Sequence, residues 1–157
     1  MKLDKISNIK PVIRLMEERD VSLLASLEIE IFPDPWPVEA FIDGLADENH
    51  VFLVAEIENH VVGYASFYIE MGEGRLTNIA IPSEFRRKKI AKKLLEYILM
   101  VVKKAKCKYI FLDVRPTNEA AINLYSGYGF YEAYRRQEYY SNPTEDAIVM
   151  VKNLDDE

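Results

Sequence analysis

One junction restricts this chain more than any other. Residues Arg75 to Ile81 (Arg-Leu-Thr-Asn-Ile-Ala-Ile) read as a strand that stops at Pro82. A basic stretch from Arg86 to Lys93 follows, and from Ile90 to about Lys106 the apolar residues Ala91, Leu94, Leu95, Ile98, Leu99 and Val102 recur at helical spacing. A strand that feeds the chain's longest amphipathic helix, lysines on its far side, requires a sheet against which that helix can pack. The charge at the junction is also informative. Six of the eight residues from Arg86 to Lys93 are basic, in a chain that holds only 20 Lys and Arg against 26 Asp and Glu and carries a net charge of −6. Nucleic acid asks for a broad basic face. A confined cationic spot on an acidic body suits a compact polyanion such as a phosphorylated cofactor.

The remaining segments give the sheet its strands. Glu17 to Ile31 places Val21, Leu24, Leu27, Ile29 and Ile31 near helical spacing, with Asp20 and Ser22 as start signals. Three prolines in Phe32-Pro-Asp-Pro-Trp-Pro37 then forbid helix and give a stiff loop before a short helix through Glu39, Phe41, Ile42 and Leu45. Val51 to Ile57 and His60 to Ile69 are predicted to pair as a hairpin across Glu58-Asn59, with the next turn at Gly72-Glu73-Gly74. Lys108 to Val114 is a further strand. A short helix from Asn118 to Ser126 follows, with Asn118 as N-cap, and Gly127 and Gly129 end it. Tyr134 to Tyr140 and Ala147 to Leu154 close the sheet around Asn142-Pro143. The expected fold class is α/β: one mixed sheet flanked by helices, in a single domain of 157 residues whose end, 155–157, is frayed.

Composition excludes several functions. The lone Cys107 rules out an internal disulfide and a cysteine zinc cluster, and it reads as a small buried hydrophobe. His50 and His60 are scattered and read as surface residues, so no metal site is expected. No apolar run reaches the ~18 residues of a membrane span, and Met1 to Lys10 lacks a signal-peptide core. The expected setting is the reducing cytoplasm, with neither membrane nor nucleic acid as partner.

Three stretches carry a family resemblance. Arg86-Arg-Lys-Lys-Ile-Ala91 resembles the pyrophosphate loop of the GNAT superfamily of N-acetyltransferases (Arg/Gln-x-x-Gly-x-Gly/Ala), with Lys89 where Gly is usual. Leu112-Asp-Val-Arg-Pro-Thr-Asn-Glu-Ala-Ala-Ile-Asn-Leu-Tyr125, followed by Gly129-Phe130, resembles the strand and asparagine-headed helix of the RimI and Ard1 branch, the protein N-terminal acetyltransferases. Tyr139-Tyr140 and Glu145-Asp-Ala-Ile-Val-Met150 resemble that branch's ending. The resemblance spans roughly Ile13 to Val151.

It implies the GNAT fold, acetyl-CoA as cofactor, and a polypeptide amino terminus as acceptor, ribosomal proteins included. It further implies a division of labour among the residues. Ile79, Ala80 and Ile81 would offer backbone groups to the pantetheine arm, while Arg86, Arg87, Lys88, Lys89, Ile90, Ala91 and Lys92 would receive the pyrophosphate at the helix start, where free N–H groups and the helix dipole favour anions. Asn118 would contact the cofactor, and Tyr125 would act near the thioester sulfur as general acid. Asp113 matches the position of a branch glutamate and Asp34 that of a loop glutamate, so both are candidates to accept the amine proton. Phe32, Asp34, Trp36, Tyr139 and Tyr140 would wall the peptide. The residues themselves leave other readings open: Asn118 as a simple cap, Asp113 and Asp34 as satisfied turn or strand-end carboxylates, and, for the whole chain, acetylation of lysine or a small amine, or a non-catalytic CoA-binding or interaction module.

Overall fold

The computed structural model describes residues 9–155 apart from Lys88. In chain order it contains β1 (Val12–Leu15), α1 (Val21–Ile31), α2 (Val38–Ala46), β2 (His50–Ile57), β3 (His60–Glu70), β4 (Glu73–Ala80), α3 (Ile90–Lys104), β5 (Tyr109–Val114), α4 (Glu119–Gly127), β6 (Tyr131–Tyr140) and β7 (Glu145–Asn153). The seven strands form one sheet in the order β1-β2-β3-β4-β5-β7-β6. The sheet is mixed, since β4 and β5 pair in parallel while β5–β7 and β6–β7 are antiparallel. This is the α/β arrangement expected from sequence. Two compact units share the chain: the described residues up to Phe67 together with Asn78–Met100, and Tyr68–Thr77 together with the described residues from Val101 onward. The expected frayed end falls mostly on Asp156 and Glu157, which lie outside the described residues.

In the first unit the Glu58-Asn59 turn has φ of +51° and +65°, the paired left-handed geometry that matches the twist of a hairpin. Every residue of β3 from Val62 to Phe67 is buried, so the strand is covered on both faces. Helices α1 and α2 build a core with Phe41, Phe52 and Tyr64, whose rings meet at 5.5 Å and 5.7 Å about Phe41. Truncating such a phenylalanine costs about 3–5 kcal/mol.

Helix α1 differs from its sequence reading in which face it buries. Val21, Leu24, Ala25, Leu27 and Glu28 are turned inward, whereas Ile29 is 68% exposed. A carboxylate occupies the place in the stripe that spacing assigns to an apolar side chain. Asp20 precedes the helix without capping it through its side chain. Its carboxylate instead accepts from the two terminal guanidinium nitrogens of Arg14, Nη1 and Nη2, and from the Glu17 backbone N–H. The Arg14 hydrogen bond, outweighing the cost of burial, holds the Asp20 carboxyl below its ordinary range. Arg14 lies on β1, a strand not predicted from sequence, which pairs antiparallel with β2 from Val12↔Glu56 to Leu15↔Leu53. Four residues with a charge among them are too few to show a period of two.

In the second unit β5 turns Ile110, Leu112 and Val114 inward. The turn before β4 lies at Met71-Gly72, with φ of +52° and +78°, one residue earlier than the glycines suggest, and Glu73 and Gly74 belong to the strand. Gly74 fits closely there: a Cβ would stand 3.0 Å from Val102 and 3.3 Å from Ile110, so those neighbours would have to give by a few tenths of an ångström. Cys107 is buried and burial pushes its thiol up, in keeping with an inert hydrophobe.

His50 corrects the sequence reading. It is half-buried, with its ring 4.3 Å from Phe52 and 6.2 Å from Trp36, and burial, opposed by the Asp47 charge, lowers its pKa to about 4. His60 is exposed. Because the unfolded chain takes up a proton near ~6.5 and the folded chain only near about 4, the neutral ring contributes stability that is complete above the upper value and is lost as pH falls toward the lower one. Urea titrations from pH 7 to pH 4 should therefore show a steeper loss of stability in the wild type than in His50→Gln; parallel profiles would mean that the ring is not held neutral by the fold.

Candidate active site

The basic junction lies in the first unit. β4 delivers Ile79, Ala80 and Ile81 to Pro82, with Ala80 buried and the two isoleucines half-buried. Their approach depends on Gly63 of β3, where a Cβ would stand 2.5 Å from Ile81 Cδ1, 3.1 Å from the Ala80 carbonyl and 3.4 Å from Ile90. The loop then turns through Ser83–Phe85, and Arg86 Nε donates to the Ile81 carbonyl at 3.1 Å, tying the loop back to the strand end. Arg87 and Lys89 both have φ of +62°. Left-handed backbone costs an L-residue roughly 1–2 kcal/mol, and it is retained where a ligand clamp benefits from it. Position 89 thus has the conformation glycine adopts freely, although lysine stands there. Ile90 is buried and anchors the first turn of α3, Ala91 is half-buried, and Lys92 is exposed. The first-turn N–H groups of a helix have no intrahelical partner and present positive potential. Lys88 lies outside the described residues.

The first unit also carries the Pro-rich loop. Trp36 is half-buried against Phe41, His50 and Phe52, and its backbone N–H donates to Glu28 Oε1 at 3.2 Å. Phe32 packs partly against the same core. Asp34 is exposed. Glu28 also accepts from Asn78 and from the Tyr64 hydroxyl. Burial, only partly offset by these hydrogen bonds, raises its pKa. Glu28 was not singled out from sequence; the available signal was its position, seven residues after Val21 on the inward stripe.

The second unit holds the other candidates. Asn118 caps α4 by accepting from the Ala121 N–H at 3.2 Å. Tyr125 is 8% exposed and packs on Phe130 at 5.6 Å; burial pushes its phenol well up, with a smaller push from Tyr140. Asp113 accepts from Arg75 at 2.6 Å and from Arg136 at 3.4 Å. Tyr139 and Tyr140 meet edge to face at 5.0 Å, and burial, then the Asp113 charge, pushes the Tyr140 phenol up to about 12. Arg115, inside the sequence motif but given no role there, organises this end. It stacks 4.4 Å over Tyr140, donates to the carbonyls of Ser141 and Pro143 at 2.7 Å and 2.8 Å, and pairs with Glu145 at 3.2 Å. Among the described residues no group of His, Cys, Asp and Glu side chains could hold a metal, and no helix is long and apolar enough to cross a membrane.

A strand that runs into a basic loop and a helix start, at the centre of a mixed sheet, is the frame of an enzyme that grips a phosphorylated cofactor. The chain matches the Acetyltransferase (GNAT) family over residues 21–130 and belongs to it. It is 30% identical over 142 residues to a Bacillus subtilis protein provisionally named a [ribosomal protein bS18]-alanine N-acetyltransferase, covering 90% of this chain and 94% of the relative. It is 30% identical over 155 residues to the N-alpha-acetyltransferase of Sulfolobus acidocaldarius, covering 90% and 92%. The crystal structure of the Escherichia coli ribosomal-protein-S18-alanine N-acetyltransferase superposes with a TM-score of 0.84 at 27% identity, over 92% of this chain and 94% of that one.

The family uses acetyl-CoA, and the basic junction fits it. The donor set is cationic side chains and helix-start N–H groups, and Gly63 lets the strand end lie close. CoA should accordingly raise the thermal midpoint by mass action. Lys89→Gly should relieve the left-handed strain while removing a charge, so that CoA affinity changes by less than about tenfold. Calorimetric titration decides this; a collapse of binding would make the Lys89 side chain a principal phosphate ligand.

Proposed function

We propose that this chain transfers acetyl from acetyl-CoA to the α-amine at the amino terminus of polypeptides, ribosomal proteins among them, in the cytoplasm and as a single catalytic domain. The observation that carries this reading is the match over about nine-tenths of each chain to two relatives, one provisionally named a [ribosomal protein bS18]-alanine N-acetyltransferase and the other named an N-alpha-acetyltransferase. These relatives do not favour the lysine or small-amine alternative. Physical chemistry agrees: an α-amine with a reference pKa near ~8 keeps a useful neutral fraction at neutral pH, while a lysine near ~10.4 does not.

Acetyl-CoA supplies a thioester-activated acetyl group. Ile79, Ala80 and Ile81 would hold its pantetheine arm, and Arg86 to Lys92 its pyrophosphate, with Asn118 as a further contact. The amine attacks directly in a ternary complex, so no enzyme nucleophile is needed and the buried Cys107 has no part. Tyr125 serves as general acid. A phenol pushed up by burial stays protonated across the neutral range and arrives as a donor, giving its proton as negative charge builds on the leaving sulfur. For the amine proton, Asp113 and Asp34 are the candidate acceptors. Asp113 already accepts from two guanidinium groups, so it would act through a bridging water; Asp34 is exposed. Phe32 and Trp36 of the first unit, and Tyr139 and Tyr140 of the second, would each be candidate contacts for the peptide.

Tyr125→Phe should lower turnover by roughly ten- to a thousandfold while leaving the CoA dissociation constant nearly unchanged, because the ring still packs on Phe130. Unaltered turnover would make Tyr125 structural. The acceptor is tested by offering one peptide with a free α-amine and an internal lysine, then mapping the acetyl group by fragmentation mass spectrometry. The α-amine should be modified; acetyl chiefly on the lysine would overturn the amino-terminal reading, and no acetyl on any acceptor would favour a non-catalytic module.

A further inference from the structure

Glu28 is a buried carboxylate with no task in the chemistry above. It is 2% exposed, and an apolar side chain at that point of α1 would suit the core better. What an apolar side chain lacks is the ability to accept from donors on three separate segments. Glu28 Oε1 accepts from the Trp36 N–H at 3.2 Å, Oε2 from the Tyr64 hydroxyl of β3, and both oxygens from Asn78 Nδ2 of β4, at 3.3 Å and 3.0 Å. Asn78 in addition donates to the Tyr64 hydroxyl at 3.0 Å. Asn78 directly precedes Ile79, the first of the strand residues assigned to the cofactor.

The loop has few other ways to be held by its backbone. Pro33, Pro35 and Pro37 have no N–H, so between Pro33 and Pro37 only Asp34 and Trp36 can donate. One of those two N–H groups goes to Glu28. We propose that Glu28 is the positioning residue of the peptide-side loop: its carboxylate fixes Trp36 relative to β3 and β4 and thereby sets the wall against which the acceptor peptide rests. The proposal deepens the amino-terminal acetyltransferase reading and rests on it for the identity of the occupant, not for the hold on the loop.

Trp36 is the only tryptophan in the chain, so its fluorescence reads the loop without any substrate. In Glu28→Ala, acrylamide quenching of Trp36 should rise and its emission shift to the red. The peptide KM should increase by about tenfold or more, as expected when a backbone donor loses a charged partner, with the CoA dissociation constant within about threefold of wild type. Glu28→Gln, which keeps one acceptor oxygen, should restore much of both signals. Leu24→Ala on the same face of α1 serves as the control: it should lower the thermal midpoint through a cavity and leave Trp36 quenching unchanged while folded. Should Glu28→Ala fail to fold, Glu28→Gln still decides, because the loss of one carboxylate oxygen should then appear as partial loosening of Trp36 and a partial rise in KM. Unchanged quenching and KM in the folded variants would overturn the proposal, as would equal loosening of Trp36 in Leu24→Ala. If the wild type acetylates no peptide but Glu28→Ala frees Trp36, the amino-terminal reading fails and the positioning role stands.

Discussion

From Val62 to Phe67 every residue of β3 is buried, and a strand covered on both faces dictates what surrounds it. Each polar atom it carries inward must find a partner, and each neighbour must come close. The Tyr64 hydroxyl meets the first requirement through Glu28 and Asn78, while Gly63 meets the second by leaving the space that Ile81 and the Ala80 carbonyl fill. Ala80 ends the strand that runs into the basic loop, with Ile81 next in the chain. The constraint that makes the core dry therefore also places the first contacts expected of the cofactor. Every buried side-chain polar atom among the described residues has a partner, as a low-dielectric interior demands.

The acidic surplus is handled in two ways. Asp20 and Glu56 share Arg14, Asp113 faces Arg75 and Arg136, and Glu145 pairs with Arg115, so these carboxylates are matched by cations and act as fasteners between strands, turns and helix starts. Glu28 is held by neutral donors instead. Breaking a cation pair strands a charge. A carboxylate among neutral donors carries a desolvation cost even in the intact fold, which makes its retention in the core more informative than that of the paired groups. The tyrosines show the same economy of placement: burial pushes the phenols of Tyr125 and Tyr140 upward, keeping them as hydrogen-bond donors.

Legibility from sequence followed the strength of local patterns. The helix α3, with Ile90, Leu94, Leu95, Ile98 and Val102 inward, was legible because a long 3.6-residue period cannot be confused with a strand. The Asn118 cap and the Glu58-Asn59 hairpin were legible for a different reason, since their backbone geometry selects residue types. β1 was not, because its pairing with β2 supplies the order that four residues cannot encode. Nor was the burial of Glu28 and His50, since a polar residue reveals nothing locally about whether distant donors or rings will enclose it.

The sequence by itself determined the order of elements from α1 onward and the strand-to-helix junction with its concentrated positive charge, because these depend on period, composition and short-range spacing, while family resemblance alone pointed to Asp113, Asn118, Tyr125, Tyr139 and Tyr140 as site residues. The tertiary structure alone decided which groups those residues meet. It assigned two guanidinium groups to Asp113, left-handed backbone to Lys89, the clamp on the β6–β7 turn to Arg115, and the Pro-rich loop's anchor to Glu28. The physical reason is range: hydrogen bonds and burial join residues as far apart in sequence as Glu28 and Asn78, and no local pattern carries that information.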